Sequence, residues 1–257
     1  MRQLLPIMLA VLLAGGTGCA YRYYAEDLKP QSEARQGENR VVADDGTVTF
    51  SQGRLEVSLR PMSDTELNRQ FANESQDGIN STNPFTFANS KVFLTNETPR
   101  RFTVFRLKVS NYEFPKVYLD PKLIYILADN GRKYYALNFE QLNTYHRRYS
   151  RGGLTGESQG GVPGNEYQEW KARQSILRRT LFPDEQIFSA QEVEGYVVFR
   201  PLDHDVDRLT VHVPEVTVRF DFKGDPVETT DVSARFERAI GKIYPDGRKE
   251  MQTLSTR

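Results

Sequence analysis

Alternation with a period of two runs through the middle and the end of the chain. Leu55, Val57 and Leu59 alternate with Arg54, Glu56, Ser58 and Arg60, and Thr103, Phe105, Leu107 and Val109 with Val104, Arg106 and Lys108. Successive strand residues point to opposite faces, so each run predicts a strand with one apolar side. Leu123, Tyr125 and Leu127 share one side and Ile124 and Ile126 the other, before Asp129-Asn130-Gly131 and a return run of Tyr135, Leu137 and Phe139. Asn-Gly predicts a hairpin there, because its turn positions take φ > 0. Further runs cover Val193 to Phe199, Leu209 to Val213, Val216 to Phe222 and Val232 to Phe236. The apolar register slips by one across Pro214-Glu215, which predicts a bulge or tight turn.

Two segments read as helices. Ser63-Asp64-Thr65-Glu66 forms a capping box, opening a short helix through about Asn73. A second, amphipathic helix is predicted from Glu166 to about Phe182, capped by Asn165, stopped by Pro183 and carrying Trp170, Gln174, Leu177 and Leu181 on one face. Eight or so half-buried strands separated by turns predict an all-β fold. The expected architecture is an antiparallel β-sandwich of immunoglobulin-like topology with one short helix and one inserted amphipathic helix. It is expected over residues 47–238, with a loop–helix insertion at 140–183 and a C-terminal tail at 239–257. Residues 19–46 are polar and without sustained periodicity, which predicts a flexible tether.

The chain opens with Met1-Arg2, an apolar run from Leu4 to Ala14 broken only by Pro6, and the small residues Gly15-Gly16-Thr17-Gly18 before Cys19. This is the three-part layout of a secretory leader, and the run is too short to span a membrane core that needs about 20 apolar residues. Gly16-Thr17-Gly18-Cys19 resembles the lipobox of bacterial lipoproteins, departing from it at Gly16, where Leu is usual. The resemblance covers the leader alone. It implies cleavage between Gly18 and Cys19, with residues 1–18 removed as a signal peptide. Cys19 would carry a diacylglycerol thioether and an N-acyl chain that fix the protein to a membrane. Ala20 in place of Asp implies sorting to the outer membrane, as in enterobacteria, and the expected placement faces the periplasm. Cys19 is the only cysteine, so acylation also accounts for a lone thiol in an exported chain.

Composition narrows the function. Removing Arg2 with the leader leaves 33 bases against 34 acids, a balance that argues against general nucleic-acid binding. With Cys19 acylated, no disulfide forms, so the domain stands on its packed core.

Three candidate sites emerge. Arg147, Arg148 and Arg151 flank a glycine-rich loop, and Lys171, Arg173, Arg178 and Arg179 lie on the predicted helix. Packed together they would form a basic patch for an acidic protein or lipid phosphates; they also read as a solvated face balanced by Glu166, Glu169, Asp184 and Glu185. Gly156-Glu157-Ser158-Gln159-Gly160 matches the nucleophile pattern of serine hydrolases, with Asp203 and His212 downstream, but no apolar strand precedes it and no helix start follows. His204 and His212 form a possible metal pair beside Asp203, Asp205 and Asp207, against the alternative of a solvated loop. The expectation is a non-enzymatic interaction or structural module of the bacterial cell envelope. It is held by its lipid and docked to an envelope protein, with no cofactor and no nucleic acid. Tyr21, Tyr23 and Tyr24, just after Cys19, suit either a membrane interface or a disordered tether.

Overall fold

The computed structural model describes residues 21–76, 78, 81–91, 98–149 and 165–251. Two five-stranded antiparallel sheets carry the fold. Sheet one follows the order β11-β6-β5-β4-β3, built from β3 (Arg40–Val42), β4 (Val48–Gln52), β5 (Leu55–Met62), β6 (Thr103–Asn111) and β11 (Gln191–Phe199). Sheet two follows β2-β13-β12-β8-β9, built from β2 (Lys29–Pro30), β8 (Tyr125–Ala128), β9 (Lys133–Tyr135), β12 (Arg208–Phe220) and β13 (Pro226–Glu237). A three-stranded sheet pairs β1 (Arg22–Ala25) with β14 (Ile240–Ile243) and β14 with β15 (Lys249–Met251). A two-stranded ladder joins β7 (Lys116–Val117) to β10 (Ile187–Phe188). The helices among the described residues are α1 (Glu33–Gln36), α2 (Asp64–Gln70), α3 (Phe139–Tyr149) and α4 (Asn165–Thr180).

The alternating runs form the predicted strands, and one hydrophobic core joins the two large sheets. Leu55, Val57, Leu59, Phe105, Leu107 and Val109 from sheet one share it with Ile126, Leu209, Val211, Val213, Val232, Ala234 and Phe236 from sheet two. Phe105 and Phe236 meet across the sheets with ring centroids 5.1 Å apart.

The expected all-β, immunoglobulin-like β-sandwich is nonetheless overturned: this is a mixed fold of helices and open sheets. The reason lies on the other side of β6 and β11. Val104, Tyr196 and Val198 alternate with core residues and face away from sheet two, yet they too are buried, in a second core made with Leu67 of α2, Leu142 of α3 and Ile176 and Leu177 of α4. Each such buried aliphatic side chain contributes about 1.5–3 kcal/mol, so the helices are part of the packing and not an insertion hung from a sandwich. The apolar run Tyr196-Val197-Val198-Phe199 is the sequence mark of a strand covered on both faces.

Three boundaries also move. Residues 22–46, expected as tether, are tied into the domain. All four residues of β1 pair with β14, Gln36 bonds through its side chain to the Gln31 and Arg235 carbonyls, and β3 pairs with β4. The expected tail supplies β14 and β15. The return strand stops at Tyr135, and Phe139 begins α3, opened by a reciprocal cap in which Asn138 Oδ1 accepts from the Gln141 amide (2.9 Å) and Gln141 Oε1 from the Asn138 amide (2.9 Å).

Local signals read correctly where chain geometry is short-ranged. The Ser63–Glu66 capping box forms, with Ser63 Oγ accepting from the Glu66 amide at 3.2 Å and Glu66 Oε2 from the Ser63 amide at 3.0 Å. The Pro214-Glu215 bulge is present, with a register shift between Val213 and Val216 and Glu215 at φ +55°. The 128–132 hairpin needs positive φ at Gly131 alone, where the Gly131 amide donates to the Ala128 carbonyl at 2.8 Å.

Gly195 shows how tightly the helical layer sits on sheet one. The Phe182 amide donates to the Tyr196 carbonyl at 3.0 Å, and a Cβ on Gly195 would fall 2.5 Å from the backbone N and Cα of Phe182. Backbone cannot swing aside as a side-chain tip does. Gly195→Ala is therefore expected to cost about 3 kcal/mol, at or beyond the upper end for overpacking. The check is the midpoint of urea unfolding; a shift within the error of the wild-type curve would show that the end of α4 is free to move.

Candidate functional site

The register of β6 and β11 decides where the site forms. Thr103 pairs with Phe199, so Arg100, Arg101 and Phe102 lead into β6 at the same end of sheet one at which Arg200 and Pro201 leave β11. The first turns of α3 close the space from the side with Asn138, Glu140, Gln141, Thr144 and Tyr145. Together with Phe87 and Leu137 they line an open cleft of about 880 Å³.

Three arginines and three aromatic rings meet there. Arg101 is only 3% exposed; its guanidinium lies 4.1 Å from the Phe87 ring centroid and its Nη1 donates to the Asn83 carbonyl at 2.9 Å. Arg100 pairs with Asp27 at 2.5 Å, and Arg200 is exposed. Phe102 and Tyr145 meet edge to face with centroids 5.0 Å apart. Arginine forks suit carboxylates and phosphates, and their planes stack on rings. One acidic side chain, Glu140, faces them among the lining residues.

Behind this wall a polar network holds Ser75 and the 81–88 segment. Asn83 donates from Nδ2 to Ser75 Oγ at 3.0 Å, and its Oδ1 accepts from the Phe85 amide at 2.9 Å. Thr86 donates to Asn68, and Arg173 donates to the Ser81 carbonyl through Nε (3.2 Å) and Nη2 (2.6 Å). His146 is buried between these elements. Burial first, then the positive charges of Arg101 and Arg173, hold its pKa well below the usual imidazole value, with a hydrogen bond to the Pro84 backbone opposing the shift.

A smaller hollow of about 390 Å³ lies on the other side of the Leu137–Glu140 segment, lined by Pro121, Phe139, Leu177, Arg178, Phe182 and Tyr196 among others. Its walls are mainly apolar, and Arg178 covers it with its guanidinium 4.6 Å from the Phe139 ring centroid.

The described residues singled out in the sequence stand in different surroundings. Arg173, expected on a basic surface, is 1% exposed and serves the Ser81 carbonyl and Glu169. Arg178 lies on Phe139, and Lys171 sits near the Tyr167 and Trp170 rings at 5.6 and 5.2 Å. Arg147 is exposed on α3 and Arg179 is exposed on α4. Arg151, Ser158, Gly18 and Cys19, like the side chain of Arg148, lie outside the described residues. His204 stacks on Tyr23 at 3.6 Å and His212 on Tyr125 at 4.7 Å, so the two imidazoles belong to different clusters. Among the described residues no group of three or more His, Cys, Asp or Glu side chains is placed to hold a metal ion. Arg100, Arg101 and Arg200 went unread in the sequence. The available signal was a basic residue just outside each of two strands that pair, which is visible only once the pairing is known.

Comparison with protein-family models, with curated proteins and with solved structures gives no match, so the cleft is read from its own chemistry.

Arg173 is expected to behave as a core residue. Arg173→Met should destabilise by about 2–4 kcal/mol, because it strands a buried carbonyl, whereas Arg178→Ala should stay within about 1 kcal/mol. Paired denaturation curves measure this; equal and small losses would return Arg173 to the surface.

Asp64, at the start of α2, supplies a pH test. Burial raises its pKa from 3.8 to about 6, with Arg100 and Arg101 opposing the rise and Asp27 adding to it. Between about pH 4 and 6 the folded state therefore binds the extra proton, and stability from this group falls as pH rises through that window. His146 acts the other way: its depressed pKa makes the unfolded state the proton binder below its ordinary value, so stability falls as pH drops. The difference between wild type and Asp64→Asn isolates the first effect. The variant should be more stable by about 2 kcal/mol at pH 7, with the gap closing toward pH 4 in thermal melts. A gap independent of pH would contradict the assignment.

Proposed function

We propose that the chain is a membrane-anchored lipoprotein of the bacterial cell envelope that acts as a non-enzymatic interaction module. Its cleft holds an acidic segment of an envelope protein. The observation that carries the binding half is the convergence of Arg100, Arg101 and Arg200 with Phe87, Phe102 and Tyr145 on one open cleft. Arg101, held on the Phe87 ring, adds positive charge to the wall, Arg100 and Arg200 are accessible to a carboxylate, and the aromatic rings beside them supply apolar contact area. The anchoring half is supported by the leader and by the lone Cys19. Two or more acyl chains hold stably where one is marginal, at about 0.8 kcal/mol per buried CH₂. The outer membrane, facing the periplasm, is the placement this reading carries.

The test uses the acylated full chain in its own envelope. A photo-crosslinking residue replaces Gln141, which is exposed and lines the cleft. Capture of a discrete protein is expected, falling about tenfold when Arg200→Glu is added and weakening with salt, as a contact between opposite charges does. Capture indifferent to both changes would remove the cleft from the function. Metabolic labelling with a palmitate analogue, lost in Cys19→Ser, checks the anchor separately.

A further inference from the structure

The sheet that begins three residues after Cys19 is an unusual surface. A chain advances at most about 3.6 Å per residue, so Tyr21 stands within about 7 Å of the Cys19 backbone. No slack follows. β1 pairs with β14 from Arg22 to Ala25, and the Glu26 amide donates to the Ala239 carbonyl at 2.9 Å. A lipid on Cys19 therefore cannot hold the domain at a distance; it draws this sheet down to the headgroups.

The chemistry of the sheet suits that position. The register Tyr23↔Lys242↔Glu250 puts these side chains on one face, and alternation adds Tyr21 and Tyr244. Tyr21 and Tyr23 are 42% and 51% exposed, with centroids 5.5 Å apart, and Tyr21 lies 6.2 Å from Tyr244. Cations sit on the rings: Lys242 Nζ is 4.3 Å from the Tyr21 centroid, and the Arg248 guanidinium 4.5 Å from that of Tyr244. On the opposite face Lys249 Nζ is 4.5 Å from the Tyr24 centroid. Rings with a polar tip and long-stemmed cations are the side chains that settle at the boundary between hydrocarbon and water.

We propose that the tyrosine face of the β1–β14–β15 sheet rests on the lipid headgroups of the membrane that holds the Cys19 acyl chains, so that the domain is docked in one fixed orientation. This rests on the acylation of Cys19 proposed above. Tyr21 and Tyr23 lie at the headgroup level, while Lys242 and Arg248 meet headgroup phosphates. The β12–β13 turn lies the length of β13 away from this sheet. β13 runs twelve residues from Glu237, two residues before the Ala239 carbonyl that bonds Glu26, to Pro226 beside the β12–β13 turn. At about 3.3 Å per residue that is roughly 35 Å.

The test reads depth in acylated full-length protein placed in vesicles of phosphatidylethanolamine and phosphatidylglycerol. In a Trp170→Phe background, the sole tryptophan having been removed, Tyr23→Trp gives one reporter and Phe222→Trp, at a turn residue 93% exposed, gives the other. Lipids brominated near the headgroup should remove most of the emission from position 23 and leave position 222 unchanged. Lys242→Glu with Arg248→Glu should weaken the quenching at 23 in anionic vesicles. If Cys19 takes a palmitate analogue but position 23 is unquenched, the docked orientation is wrong and the anchor stands. Equal quenching at both positions also overturns it, as does a blue-shifted but unquenched reporter at 23, which marks a protein partner or second copy on the face. Absence of the lipid label removes anchor and orientation together.

Discussion

Everything in this molecule turns on the antiparallel pair β6 and β11 being buried on both faces. Phe105, Leu107, Val109, Val197 and Phe199 point into the core shared with sheet two, while Val104, Tyr196 and Val198 point into the core made by α2, α3 and α4. A central pair of this kind cannot slip by one residue, because a slip exchanges the two sets and ruins both cores at once. The fixed register then sets what stands at the strand ends. Arg100 and Arg101 on one side and Arg200 on the other come together because Thr103 pairs with Phe199.

The helical layer explains why one member of the charged run, Arg173, is a core residue and not part of a surface. Arg173 faces inward from α4 because the 81–88 segment presents backbone carbonyls that need donors, and the Ser81 carbonyl takes two of the guanidinium's bonds. Arg101 does the same for the Asn83 carbonyl from the strand side. Both charges are costly to bury and are tolerated because they satisfy groups that would otherwise be stranded. His146 between them stays neutral for the same reason: a third positive charge in that space would meet two already there.

Strand positions, the Ser63 capping box, the bulge at Pro214-Glu215 and the α4 helix were legible because each is set by neighbours within a few residues. The fold class was not. It depended on whether Val104, Tyr196 and Val198 were half-exposed or covered, and a period-two run carrying apolar residues on both sides fits either case until something is known to pack there. The ordered N-terminal segment was hidden likewise: β1 and α1 gain their order from β14 and β13, about 200 residues away. The cleft was the least legible of all, being assembled from strand ends and a helix whose start, Phe139, had the spacing of the preceding strand.

With Cys19 acylated as proposed, the distance between anchor and cleft would constrain the partner more than the chemistry of either does. Arg100 lines the cleft and pairs with Asp27, which follows β1 by two residues. Eight residues separate Asp27 from Cys19, at most about 29 Å of chain. Under that proposal a ligand in the cleft would be taken close to the membrane surface and not at the end of a long arm. The Arg100–Asp27 pair is substantially exposed, and pairs of that kind contribute little, so a partner carboxylate can displace Asp27 at small cost. Displacement would also loosen the Arg100–Asp27 link between the N-terminal segment and the cleft.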